Sequence, residues 1–136
     1  LRIVLDPNVV ISATLSPKGT PAEIVRAWLN GEFELIASPH LLKELSRAFA
    51  YPKLRSRISA VEAEAIVDLL RTRATLRDDP ADPPAVRSSD PADDYLIALA
   101  ASAQAVLVSG DQHLVTLAKR IPVYPPAVFL TELSLR

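Results

Sequence analysis

The chain has no cysteine, no methionine and only three glycines among its 136 residues. Without cysteine there are no disulfides, no thiolate catalysis and no zinc–thiolate site. A reducing cytosol is then the simplest compartment, and a cytoplasmic protein is expected. Gly19, Gly31 and Gly110 stand far apart, so no glycine-rich turn is available to cradle a dinucleotide. Net charge is nearly absent as well: 15 basic and 16 acidic residues leave −1. That excludes a protein that coats nucleic acid through a generally basic surface. No apolar run reaches the ~18 residues that read as a membrane span. The opening Leu1-Arg2-Ile3-Val4-Leu5-Asp6 is too short for the apolar part of a signal peptide and reads as a strand. Its lack of an initiator methionine suggests a processed or trimmed chain. His40 and His113 are the only imidazoles, and no Ser or Thr stands at a suggestive position for either. No protein nucleophile is evident.

What remains is an apolar chain, 49 % hydrophobic, of a length that fits one domain spanning 1–136. Strand-like runs at Arg2–Leu5, Phe33–Ala37, Ala74–Leu76, Val106–Val108 and Ile121–Val123 alternate with helix signals. Thr20-Pro21-Ala22-Glu23, Ser38-Pro39 and Asp90-Pro91-Ala92-Asp93 pair a capping side chain with proline in the first turn, and Ser59-Ala60-Val61-Glu62 reads as a capping box. Val9–Leu15 reads as a short helix or a folded-back loop, and Pro52 as a helix stop. Val61, Ala65 and Leu69 with Ile66 and Leu70 form a helical stripe, while Asp78–Asp90, rich in proline and acids, reads as a loop. Alternating strands and helices predict an α/β fold: a three-layer α/β/α sandwich around a central parallel sheet of about five strands.

Acids punctuate this pattern. Asp6 closes the first strand, Glu44 lies in the helix after the second, Asp93 and Asp94 open an apolar helix, and Asp111 follows the fourth strand. If the first and fourth strands are neighbours, their acids emerge together at the carboxyl edge of the sheet, where α/β ligands bind. Carboxylates so gathered repel one another unless a cation joins them. All-oxygen donors suit Mg²⁺ or Mn²⁺, and a metal-bound site of this kind suits phosphoryl chemistry. Asp6, Asp111 and either Asp93 or Asp94 are the candidate ligands, with Glu44 to complete the shell or orient water. Asn8, Ser12 and Ser109 are expected to support them. Each acid alone also reads as a turn, a cap or a solvated helix residue; the joint placement carries the argument. Arg47, Lys53, Arg55 and Arg57, with Tyr51 among them, and Arg87 near the third cluster are candidates for gripping RNA.

The segments Leu5-Asp6-Pro7-Asn8-Val9-Val10-Ile11-Ser12-Ala13, Ser38 to Leu45, Asp90-Pro91-Ala92-Asp93-Asp94 with its apolar sequel, and Val108-Ser109-Gly110-Asp111 resemble, in this order, the motifs of PIN-domain proteins. The branch most like it comprises toxin components of toxin–antitoxin pairs, and the likeness runs over essentially the whole chain. That branch usually has Thr where Pro7 stands, and Thr where Ser109 keeps the hydroxyl. Its acid falls on Asp93; a neighbouring branch places it on Asp94. The resemblance implies a Mg²⁺- or Mn²⁺-dependent endoribonuclease that cuts RNA, is blocked by a cognate antitoxin protein and forms a homodimer. Trp28, the Val61–Leu70 stripe and Phe129-Leu130 supply apolar faces for such assembly. Two other outcomes stay open: a catalytically inactive scaffold that works by partner binding, and a nuclease acting on DNA. A phosphate-receiver domain fits worse, because the first strand carries a single acid.

Overall fold

The computed structural model describes residues 1–136. Five parallel strands form its sheet: β1 (Arg2–Leu5), β2 (Glu34–Ala37), β3 (Thr75–Leu76), β4 (Val106–Val108) and β5 (Val123–Tyr124). Their order is β3-β2-β1-β4-β5. From β1 the chain builds outward through β2 to β3, then returns to β1's other side for β4 and β5. The direction of building therefore reverses between β1 and β4, and the crevice outside their carboxyl ends is where α/β folds place ligands. Leu5 lies beside Val108 in that register, so Asp6 and Ser109, one residue on, leave the sheet side by side.

Helices cover both faces, giving the expected three layers. They are α1 (Pro7–Leu15), α2 (Thr20–Leu29), α3 (Pro39–Phe49), α4 (Pro52–Arg55), α5 (Ala60–Arg73), α6 (Asp94–Ala103), α7 (Gln112–Val115) and α8 (Pro126–Ser134), with a 3-10 turn over Pro91–Asp93. Five of these helices and the 3-10 turn carry proline in their first two positions. There the missing N–H is one that no intrahelical acceptor would have met. The same property explains a departure from expectation: Pro52 opens the short α4 rather than only ending α3.

Ser38 caps α3 by accepting from Leu41 N at 3.2 Å. Ser59 and Glu62 form the reciprocal capping box of α5. Thr20 is no cap: the cap position falls on Gly19, without a side-chain bond. Gly31, at φ +80°, takes the left-handed position after α2 that glycine adopts without a Cβ clash.

One core of 33 buried residues joins the sheet to its helices. The nearly all-apolar β1 and β4 are buried along most of their length, as a doubly covered parallel sheet requires. On α5 the buried face is Ala63, Val67 and Leu70, whereas Val61 is 78 % exposed. Of the stripe read through Val61, Ala65, Ile66, Leu69 and Leu70, Leu70 is buried, Ile66 and Leu69 pack half-buried against the core, and Val61 and Ala65 are exposed. Trp28 and Phe129 belong to the core, so they offer no face to a second subunit. The last strand is Val123–Tyr124, later than Ile121–Val123.

Candidate active site

Asp6 lies at the seam between β1 and α1, only 4 % exposed. It caps α1, accepting from Asn8 N at 3.0 Å on Oδ1. Its other oxygen accepts from the Ser109 hydroxyl at 2.7 Å. Ser109 Oγ in turn accepts from Asp111 N at 3.0 Å, so one buried hydroxyl ties the first acid to the fourth motif. Asp111 caps α7 through His113 N at 2.8 Å. Asn8 thus acts on Asp6 through its backbone rather than its amide side chain. Ser12 sits exposed on α1, and its hydroxyl bonds none of the acids.

Burial pushes the Asp6 carboxyl above its ordinary range; the Asn8 N–H and the Ser109 hydroxyl hold it down, and the charge of Asp111 lifts it again. Asp93 is pushed up to about 7, first by burial, then by the charge of Asp111 and a proton shared with it, then by Asp6 and Asp90. When both acids are ionised, Oδ2 of Asp93 is buried without any donor. Either a proton or a cation satisfies such an oxygen. Asp6, Asp93 and Asp111 therefore share one electrostatic neighbourhood.

Asp94 faces elsewhere. Its Oδ1 accepts from Ser88 N at 2.7 Å, and Oδ2 lies 3.9 Å from Arg87 Nη1. It fastens the end of the 78–90 loop onto α6. Buried Ser88 also donates to His113 O at 3.4 Å, and Ser89 Oγ lies 2.6 Å from His113 Nδ1. Glu44 lies 3.4 Å from Arg47 and 3.8 Å from His40. Its charge raises the Tyr95 phenol but is not among the influences on Asp6 or Asp93.

Tyr95 was read from the sequence only as part of an apolar run. Burial, followed by the charges of Asp6, Glu44, Asp93 and Asp79, pushes its phenol well above the ordinary tyrosine range. It stays a hydrogen-bond donor amid acids. Its ring stacks on His40, centroids 3.9 Å apart. The available signal was a lone tyrosine directly after two aspartates in an otherwise aliphatic helix.

The expected cations disperse. Arg47 is engaged with Glu44 and Arg87 with Asp94. Arg55 donates to Phe49 O at 3.4 Å, while Lys53 and Arg57 are exposed around α4. The acids that can hold a hard cation are Asp6, Asp93 and Asp111: the donors are all oxygen, and one buried oxygen lacks a partner. No three His, Asp or Glu side chains are yet gathered into a ligating cluster. The fit is one of donor chemistry.

The sequence profile of the PIN domain matches residues 2–113. A protein of uncharacterised function from Methanocaldococcus jannaschii, MJ1680, is 26 % identical over 118 residues, covering 86 % of this chain and 75 % of its own length. Among solved structures, PAE2754 from Pyrobaculum aerophilum superposes with a TM-score of 0.69 at 16 % identity, over 100 % of this chain and 98 % of that one. VapBC2 from Rickettsia felis, bound to a DNA fragment from its promoter, superposes with a TM-score of 0.63 at 15 % identity, over 92 % and 98 %. At such identities these two structures establish likeness of fold. No helix here is long and apolar enough to cross a membrane.

Proposed function

The chain belongs to the PIN-domain family, and from that premise we propose that residues 1–136 act as one metal-dependent endoribonuclease domain, the toxin of a toxin–antitoxin pair. The observation that carries this reading is the buried, donorless oxygen of Asp93 beside Asp111 and Asp6 at the sheet's carboxyl edge.

In this reading Asp6, Asp93 and Asp111 hold Mg²⁺ or Mn²⁺, with Glu44 completing the shell or orienting the attacking water. A bound divalent ion lowers the pKa of water and offsets charge that develops on the phosphoryl oxygens. The chain's own residues prepare the rest. Ser109 and the Asn8 N–H favour the ionised form of Asp6 against burial and fix its orientation. Asp94 holds the Ser88 backbone, and with it the end of the 78–90 loop. The water oxygen adds to phosphorus, its proton passes to a carboxylate, and the ribose oxygen leaves. Arg47, Lys53, Arg55, Arg57 and Arg87 grip flanking phosphates. The cognate antitoxin and the homodimer rest on the resembled branch, and the likeness in fold to VapBC2 supports the former.

The test is cleavage of a single-stranded RNA pool by protein freed of any partner, with Mg²⁺ or Mn²⁺ and with a chelator. Asp6→Asn and Asp111→Asn, purified in parallel, should each abolish metal-dependent cutting. Equal cutting by wild type and Asp6→Asn would assign the activity to a contaminant. The absence of a preformed ligating cluster, with Pro7 in the first motif, favours a second reading: an inactive scaffold that acts by partner binding. A folded wild type that cuts neither RNA nor single-stranded DNA would put that reading first.

A further inference from the structure

The ring of Tyr95, in the first turn of α6, lies flat against His40, in the first turn of α3, with planes 7° apart and centroids 3.9 Å apart. The pair bridges two helices that start at the same edge of the sheet. Its members are fixed by different means. Tyr95 is half-buried among Asp6, Glu44, Asp93 and Asp79. The backbone of His40 donates to Asp79 Oδ2 at 2.9 Å, which pins the first turn of α3 to the start of the 78–90 loop. The His40 side chain nevertheless stays 44 % exposed. Tyr95 covers one ring face, so the open part is the other face and the edge.

A crevice lined by carboxylates repels the phosphates of the strand it must hold. Arg47 and Arg87, each beside a carboxylate of its own, offset only part of this. An uncharged contact is indifferent to that field. Base–aromatic stacking is such a contact, and it tolerates any sequence because every base has a flat π-face. A base inside a duplex is already stacked and paired, so only an unpaired base can take the place.

We infer that the His40–Tyr95 pair is a nucleobase shelf: an unpaired base beside the scissile phosphate stacks on the outer face of His40, and Tyr95 backs that ring. His40 is then a positioning residue that restricts the substrate to single strands. The inference rests on reading the site as a ribonuclease. It differs from a purely structural role, in which His40 covers Tyr95 and pairs with Glu44, 3.8 Å away.

Binding is measured first in chelator, where nothing is cut, using short RNA strands that carry 2-aminopurine at each position in turn. Wild type should quench one position, and a duplex of the same sequence should not be quenched. His40→Ala and His40→Gln should bind about tenfold more weakly, while His40→Phe, which keeps a flat ring and loses the contact with Glu44, should bind nearly as wild type does. With Mn²⁺ present, the loss in His40→Ala should fall mainly on KM. Thermal melts of all variants report folding. Equal binding by wild type and His40→Ala overturns the shelf, as does His40→Phe behaving like His40→Ala. Ring-dependent binding without any cutting leaves the shelf standing and removes the nuclease reading. Cutting by wild type together with unaltered binding in His40→Ala does the reverse.

Discussion

The Ser109 hydroxyl donates to Oδ2 of Asp6 at 2.7 Å, a bond between residues 103 apart in sequence that joins the carboxyl ends of the two central strands. Both groups are buried. Removing a donor from a buried acceptor costs about 1–3 kcal/mol. Ser109→Ala should therefore lower the unfolding free energy by about that amount, measured by denaturant titration. The same change removes a group that favours the ionised form, so the Asp6 carboxyl should titrate still higher. Carboxyl-carbon NMR in chelator reads that shift, and a fall in the Asp6 pKa would contradict the assignment.

Asp93 gives a pH dependence of defined sign. Its carboxyl is pushed up to about 7 in the folded chain and titrates near the ordinary ~3.9 when unfolded. Between those values the native state binds more protons than the unfolded state, so stability falls as pH rises through that window. The contribution is fully present below about pH 4 and gone above about pH 7. In chelator, stability measured from pH 4 to pH 8 should show this decline, and Asp93→Asn should flatten it. A matching slope in Asp93→Asn would place the titration elsewhere.

A divalent cation should act on the same charges from the other side. An ion that binds only the native state raises the melting temperature by mass action. With Mg²⁺ or Mn²⁺ near neutral pH, binding should also release protons from Asp93, seen as buffer-dependent heat in titration calorimetry. Asp111→Asn should remove most of the thermal shift. Equal shifts in wild type and in Asp6→Asn would show that the ion sits away from these acids.

Adjacent Asp93 and Asp94 should respond in opposite directions. Asp93→Asn relieves repulsion and should raise metal-free stability near neutral pH. Asp94→Ala deletes the acceptor of Ser88 N at 2.7 Å and should cost about 1–3 kcal/mol. It should also speed amide exchange around Ser88. Slow exchange there in Asp94→Ala would mean that the loop is held by its bonds to His113 alone.

Gln104, after α6, adopts φ 52° and ψ 46°, a left-handed position that costs a residue with a Cβ roughly 1–2 kcal/mol relative to glycine. Gln104→Gly should therefore raise stability by about 1 kcal/mol, the gain being trimmed by glycine's greater freedom when unfolded. An unchanged or lowered denaturation midpoint would argue against this backbone geometry in solution.

The residue pattern carried the strand order of events well. Short apolar runs such as Arg2–Leu5 and Val106–Val108, set between helix signals, read as doubly covered strands, and Ser38 and Ser59 sit in local patterns whose hydrogen bonds stay within four residues. What was not legible depends on the third dimension. The rotation of α5 that buries Ala63 and exposes Val61 is set by how the helix packs on α3, not by its own period. That Asp6, Asp93 and Asp111 influence one another electrostatically was expected from their places at strand and helix ends. Separating Asp94 from them needed the position of Ser88, which lies in a loop without periodicity. The stack of His40 on Tyr95 joins residues 55 positions apart, with no local trace of either partner in the other's surroundings.

The place of β1 in the middle of the sheet has a consequence for synthesis. A nascent chain emerging from the ribosome carries Asp6 from the start, but the hydroxyl that fixes it and the acid opposite it arrive only with residues 109 and 111. Until β4 has docked beside β1, the flank that should hold the fourth motif is an open sheet edge. No translation intermediate shorter than that can assemble the three aspartates. Whatever chemistry the three acids perform can thus appear only after most of the domain has been made.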